Sequence, residues 1–166
     1  NLGLLQAVAD PGDRILMDGA CHASLRAGAK LSQAQAFSFR HNDLEHLETK
    51  LQRWGLRRRP REEWFVVVES LYSMDGDLAC LEQIVEICES YQANLIVDEA
   101  HGIGTLGPAG LVVKLGLESR VFARTFGFGK AYGAHGGAVL GSQLLRDYLV
   151  NRAHSFLYST GLPATS

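Results

Sequence analysis

Short apolar runs recur along the chain, and each stops at a polar or ionisable residue. Arg14-Ile-Leu-Met17 ends at Asp18, Trp64-Phe-Val-Val-Val68 at Glu69, and Leu95-Ile-Val97 at Asp98. Val121-Phe-Ala-Arg124 leads into the glycine-rich stretch Thr125-Phe-Gly127-Phe-Gly129-Lys130-Ala-Tyr-Gly133. Continuous runs of this length suit parallel strands covered on both faces. Ala34 to Phe39 reads as a weaker strand and Gly136 to Gly141 as another. Between these runs the apolar spacing turns helical. Leu44, Leu47, Leu51 and Trp54 form one stripe, with Asn42 as its expected cap and Glu45 three residues on. Leu81, Ile84, Val85, Cys88 and Tyr91 form a second. Leu25 to Lys30 and Leu144 to Arg152 read as further helices, the latter capped by Ser142, and Asn1 to Ala9 as the tail of a helix. Phe156 to Thr160 reads as a last strand or a link to a following domain. Strands alternating with helices predict an α/β fold, a mainly parallel sheet flanked by helices.

Composition adds bounds. A chain of 166 residues, 46% hydrophobic and 20% charged, suffices for one globular domain. A net charge of -2 gives no global field for nucleic acid or an anionic membrane. Arg57, Arg58, Arg59 and Arg61 make a local basic patch, but Glu62 and Glu63 neutralise it and a solvated loop is the expected reading. No run is long enough to span a membrane. Three cysteines without a CxxC pair suggest no disulfide framework and fit a reducing cytoplasm. The chain opens without Met and stops at Leu162-Pro163-Ala-Thr-Ser166 without a closing element, as expected of a piece of a longer protein.

The candidate chemistry gathers where strands end. His22 follows the first run, Ser73 follows the run ending at Glu69, Asp98 and His101 follow the third, and Lys130 lies in the glycine-rich loop. Open α/β sheets place ligands at the carboxyl ends of their strands. One cofactor employs the whole set. Pyridoxal phosphate needs a lysine amine for its aldehyde, which Lys130 supplies, and a carboxylate to keep its ring nitrogen protonated, which Asp98 supplies. Ser73 and His101 can donate to its phenolic oxygen, and His22 can stack on its face.

Asp18…His22-Ala-Ser24, Phe39-Arg-His-Asn-Asp43, Glu69-Ser-Leu-Tyr-Ser-Met-Asp-Gly-Asp77, Val97-Asp-Glu-Ala-His-Gly102 and Phe128-Gly-Lys-Ala-Tyr-Gly133 occur in this order. Together they resemble the α-oxoamine synthases, fold-type I pyridoxal-phosphate enzymes, along the whole chain. The resemblance implies that residues 1–166 are part of the large cofactor-binding domain, with a preceding segment and a C-terminal small domain outside them. It implies that Lys130 holds the cofactor as a Schiff base and then serves as acid and base, and that His22 assists the acyl step. It implies a homodimer with shared active sites, Ser159 and Thr160 reaching the neighbouring subunit's cofactor phosphate. It also implies an acyltransferase condensing an amino acid with an acyl-CoA and losing carbon dioxide. The wording is most similar to the 8-amino-7-oxononanoate synthase group, hence L-alanine, pimeloyl-CoA or a related thioester, and biotin synthesis. The alternatives are the 2-amino-3-ketobutyrate CoA ligase, serine palmitoyltransferase and 5-aminolevulinate synthase groups, or a non-catalytic dimerisation or binding fragment. The 166 residues alone are expected to be inactive and marginally folded.

The chain departs from the family at two places. Cys21 stands where Asn usually precedes the stacking His, and Gly127 where Thr usually binds the phosphate, leaving Thr125 as the nearby hydroxyl. Two rival sites use overlapping residues. A metal site of His22, Asp98, Glu99 and His101 would leave Lys130 unemployed and lacks a ligand motif. A Cys21–His22 nucleophile pair is disfavoured because neighbours on extended backbone point to opposite sides.

Overall fold

The computed structural model describes residues 1–161. Six strands form one sheet: β1 (Arg14–Asp18), β2 (Gln35–Phe39), β3 (Trp64–Glu69), β4 (Asn94–Asp98), β5 (Ala123–Gly127) and β6 (Gly137–Gly141). Their spatial order is β2-β1-β3-β4-β5-β6. The first five are parallel, and β6 returns antiparallel along β5. The register aligns the ends that matter, since Glu69 pairs with Asp98 and Asp98 with Thr125.

The helices are α1 (Leu2–Val8), α2 (Ala23–Ser32), α3 (Leu44–Gly55), α4 (Leu81–Ser90), α5 (Gly110–Lys114), α6 (Gln143–Arg152) and α7 (His154–Leu157). Side chains alternate across the sheet, so the apolar runs feed two cores. Leu16, Val66, Val68, Leu95 and Val97 pack against Leu47 and Leu51 of α3, Ile84 and Val85 of α4, and Val112 of α5. Ile15, Met17, Phe65, Val67 and Ile96 pack against Leu4 and Leu5 of α1, Leu25 and Ala29 of α2, and Leu145 of α6. Every residue of β3 is buried, as a strand between two helical layers requires.

The arginine-rich loop is less solvated than its composition suggests. Arg58 lies 4.3 Å over the Trp64 ring and donates to the carbonyls of Tyr91 and Gln92. Arg59 and Arg14 pair with the buried Glu62, which also accepts from Trp64 Nε1. The patch therefore fastens the entry to β3. Arg57 and Arg61 make no such bonds.

Two expectations change. Asp43, not Asn42, caps α3, its carboxylate accepting from the His46 N–H at 2.8 Å. Asn42 adopts φ +51° and is drawn instead to Asp77 and the Leu78 carbonyl. Phe156 to Thr160 adds no strand. Residues up to Leu157 form α7, which packs on α1 beyond the face of the sheet. Cys80 stands exposed before α4 while Cys88 is buried in its face. The segment 162–166 lies outside the described residues.

Leu51 is fully buried. Leu51→Ala is expected to destabilise the fold by about 2–5 kcal/mol, the usual range for such a cavity. Urea unfolding checks this, and a loss below about 1 kcal/mol would mean the α3 layer collapses around the gap.

Candidate functional site

Each strand of the sheet centre delivers a polar group to the same edge, because an apolar run can carry a charge only where it leaves the core. Asp98 ends β4 and is 4% exposed. Its Oδ1 accepts from the Ala100 N–H at 2.9 Å and its Oδ2 from Asn1 Nδ2 at 2.6 Å. Asn1 also donates to Ser24 Oγ and accepts from the Thr125 hydroxyl, both at 2.8 Å. Among the described residues no lysine, arginine or histidine forms an ion pair with Asp98. A buried carboxylate held by neutral donors alone is a standing demand for a cation.

Lys130 follows β5 and places its Nζ 3.1 Å from His101 Nδ1. Burial lowers the His101 pKa. The Lys130 ammonium and His22 push the same way, and Asp98 opposes them. The imidazole is therefore neutral, accepting from Lys130 at Nδ1 and carrying its proton on Nε2. His22 stands exposed at the start of α2, where its Nδ1 accepts from the Ser24 N–H at 3.2 Å and lies 2.8 Å from Ser24 Oγ. Its own N–H donates to Glu69 Oε1 at 2.5 Å.

The structure does not join every expected residue to this group. Ser73 is exposed in the loop after β3 and, among the described residues, its hydroxyl has no hydrogen-bond partner. Thr125 is buried beside Asp98, its hydroxyl committed to Asn1. Ser159 donates to the Ser155 carbonyl, and both Ser159 and Thr160 are exposed past α7. A cavity of about 660 Å³ opens beside the carboxylate, its walls including Asn1, Ser24, Asp98, Ala100, Thr125 and Gly127. His22, His101, Ser73 and Lys130 are not part of that wall.

The rival constellations come apart. Glu99 turns into the core, where its carboxylate accepts from the N–H groups of Leu111 and Val112 at 3.0 and 2.7 Å. Gly110, at φ +83°, has no room for a Cβ against that carboxylate. Cys21 is buried and donates to the Val67 carbonyl. Burial, with Asp18, Glu69 and Asp98 nearby, pushes its thiol well above the usual range, which makes it a poor nucleophile.

Two features were missed when the strand ends were read singly. Glu69 ends β3 in the same pattern as Asp98 and belongs to the same edge. His41, in the Phe39-Arg-His-Asn-Asp43 stretch, lies between two carboxylates, with Nδ1 2.7 Å from Asp18 and Nε2 2.9 Å from Asp77. Its ring packs edge-on to Tyr72 at 4.4 Å. The loop after β3 is thereby tied to the ends of β1 and β2. No residue spacing signals this clamp, since its members lie 23 and 36 residues apart.

Residues 1–166 match the family model described as aminotransferase class I and II. An 8-amino-7-oxononanoate synthase of Methylobacterium nodulans is 40% identical over 167 residues, covering all of this chain and 41% of that protein. The serine palmitoyltransferase of S. paucimobilis with a bound PLP–myriocin aldimine superposes with a TM-score of 0.89 at 30% identity, over 98% of this chain and 40% of that one. An 8-amino-7-oxononanoate synthase of Francisella tularensis gives 0.81 at 28% identity, over 98% and 46%. The chain thus spans about two fifths of the length of the curated relatives it matches.

The His41 clamp has a pH signature. Burial depresses its pKa, but the bonds to Asp18 and Asp77 outweigh this and the net shift is upward. The clamp's stabilisation should therefore be full below the unfolded value of about 6.5 and fade as pH rises through the folded value. Urea unfolding of wild type and His41→Asn should differ most between about pH 5 and 6.5 and converge above. A difference that grows with pH would contradict the clamp.

Proposed function

This chain belongs to the class I and II aminotransferase family, and on that premise we propose that it is the cofactor-binding part of an α-oxoamine synthase dependent on pyridoxal phosphate. The observation that carries the proposal is the buried Asp98 carboxylate, which among the described residues pairs with no lysine, arginine or histidine and lines a cavity large enough for an aromatic ring. The protonated ring nitrogen is the cation such a carboxylate requires. When bound, the cofactor supplies an electron sink for charge developing at an amino acid's α-carbon.

The residues of the chain do the rest. Asp98 holds the ring nitrogen charged, with Asn1 and the Ala100 N–H fixing the carboxylate's orientation. Lys130 would supply the amine that holds the cofactor and would move a proton at the substrate's α-carbon. His101, neutral and protonated on Nε2, donates toward the phenolic oxygen, joined by Ser73 once the loop after β3 meets the ring. His22 covers the ring face and assists the acyl step. Thr125, and Ser159 and Thr160 across a homodimer interface, serve the phosphate. In the net reaction the amino acid's α-carbon bonds to the acyl carbonyl carbon, the thioester sulfur leaves as the thiol of CoA, and the carboxylate leaves as carbon dioxide.

Relatives named 8-amino-7-oxononanoate synthase support L-alanine with pimeloyl-CoA, or another pimeloyl thioester, as substrates and biotin synthesis as the setting. The superposition on serine palmitoyltransferase supports serine with a long acyl-CoA as the second reading. Three cysteines without a CxxC pair fit a cytoplasmic setting. Among the described residues no helix is long and apolar enough to cross a membrane. Because the matched relatives are more than twice as long, the proposal expects residues outside these 166 to complete the site, and the 166 residues alone to be inactive.

The complete protein, given excess pyridoxal phosphate, should develop a visible Schiff-base band that borohydride fixes onto Lys130. Lys130→Ala should lose the label. Asp98→Asn should lower turnover by about 10²–10⁴-fold, the usual range for a lost proton-transfer partner or electrostatic stabiliser. No band in the wild type would end the proposal. Assays with alanine, glycine and serine against short and long acyl-CoAs decide between the two substrate readings.

Gly127 marks a second expectation. A Cβ there would meet only the Ala100 Cβ, at 3.5 Å, so a larger residue fits. Gly127→Thr should tighten cofactor binding, read as a lower Kd in equilibrium titration. An unchanged Kd would mean that the phosphate lies elsewhere.

A further inference from the structure

Glu69 has no part in the chemistry assigned above, yet it sits at the middle of the site's edge. It ends β3, is 3% exposed, and pairs in register with Asp98. Oε1 accepts from the His22 main chain at 2.5 Å, and Oε2 lies 3.8 Å from His101 Nδ1, the atom to which Lys130 donates. One carboxylate thus touches the element carrying His22 and faces the ring that holds the Lys130 amine.

We propose that Glu69 is a positioning residue that fixes His22 over the cofactor ring and supplies the negative charge facing the Lys130–His101 pair. Two physical facts support it. A polar side chain deep in a sheet core is retained at a cost, so its charge and acceptors need a use. Removing it would free the His22 backbone at the first turn of α2 and leave Lys130 with one anion fewer. The groups facing Glu69 are Asp18 and His22 from β1 and its following turn, Asp98 and His101 from β4 and its loop, and Lys130 from the loop after β5. Burial raises the carboxyl pKa most, Asp98 and Asp18 add to it, and the His22 N–H and the Lys130 ammonium oppose, leaving it at about 6. The coupling between Glu69 and Lys130 is therefore mutual: each stabilises the other's charged form.

The inference rests on the cofactor reading, and the test separates the two. In the holo form of the complete protein, Glu69→Gln keeps an acceptor for the His22 N–H but loses the charge. The pH midpoint of the visible band should fall by at least about half a pH unit, with borohydride labelling of Lys130 retained. The reciprocal measurement needs no change at Glu69. In protein labelled with ¹³C at the glutamate δ-carbon, the Glu69 signal should titrate at higher pH in Lys130→Ala than in wild type, since the opposing ammonium is gone. Identical midpoints in both experiments, or an unmoved Glu69 signal where the Gln variant does not fold, would overturn the inference while a wild-type band leaves the cofactor reading standing. Absence of any band in wild type would end the cofactor reading instead, while the Glu69–Lys130 coupling is still read from the carbon signal.

Discussion

A charge cannot stay inside an apolar sheet without a partner, and this chain concentrates that problem at one edge. Asp18, Glu69 and Asp98 each terminate a strand in which the three residues before them are buried. Each carboxylate meets the constraint differently. Asp18 takes the Ala20 and Asn42 N–H groups and the His41 ring. Glu69 takes the His22 N–H and faces Lys130 and His101. Asp98 is left with neutral donors only. The difference among three similar strand ends is what singles out Asp98 as the place for a cationic ligand.

The two helical layers make this edge rigid. Alternation along β1, β3 and β4 sends one set of side chains toward α3, α4 and α5 and the other toward α1, α2 and α6. The strand ends are consequently held from both faces, and a slip in the register that pairs Glu69 with Asp98 and Asp98 with Thr125 would swap the side chains packed in the two cores and misalign the strand-end groups. The His41 clamp and the Glu99 cap of α5 extend the same logic outward, tying loops to the sheet with buried or half-buried carboxylates. Stability and site geometry therefore draw on the same residues.

Much of this was legible along the chain. Continuous apolar runs marked β1, β3 and β4, and helical spacing marked α3 and α4, because burial on both faces or one face leaves a distinct period. His22, Asp98, His101 and Lys130 could be nominated because they stand just past strands. Asn42 was misjudged as a cap because a cap and a loop tether use the same residue type, and only the position of Asp77 separates them. Residues 156–160 carry aromatic and β-compatible side chains, but a strand needs an edge to pair with, and this segment lies over α1.

By itself the sequence determined the main strands and the longer helices, that the sheet is mainly parallel, and which side chains lie at strand ends, since these follow from local periodicity and the cost of burying charge. Only the tertiary structure decided that Lys130 rests on His101, that Asp98 pairs with no described lysine, arginine or histidine, that Glu69 joins the edge, and that His41 bridges Asp18 and Asp77. Those facts depend on strand order and register, which bring together residues that no local pattern relates.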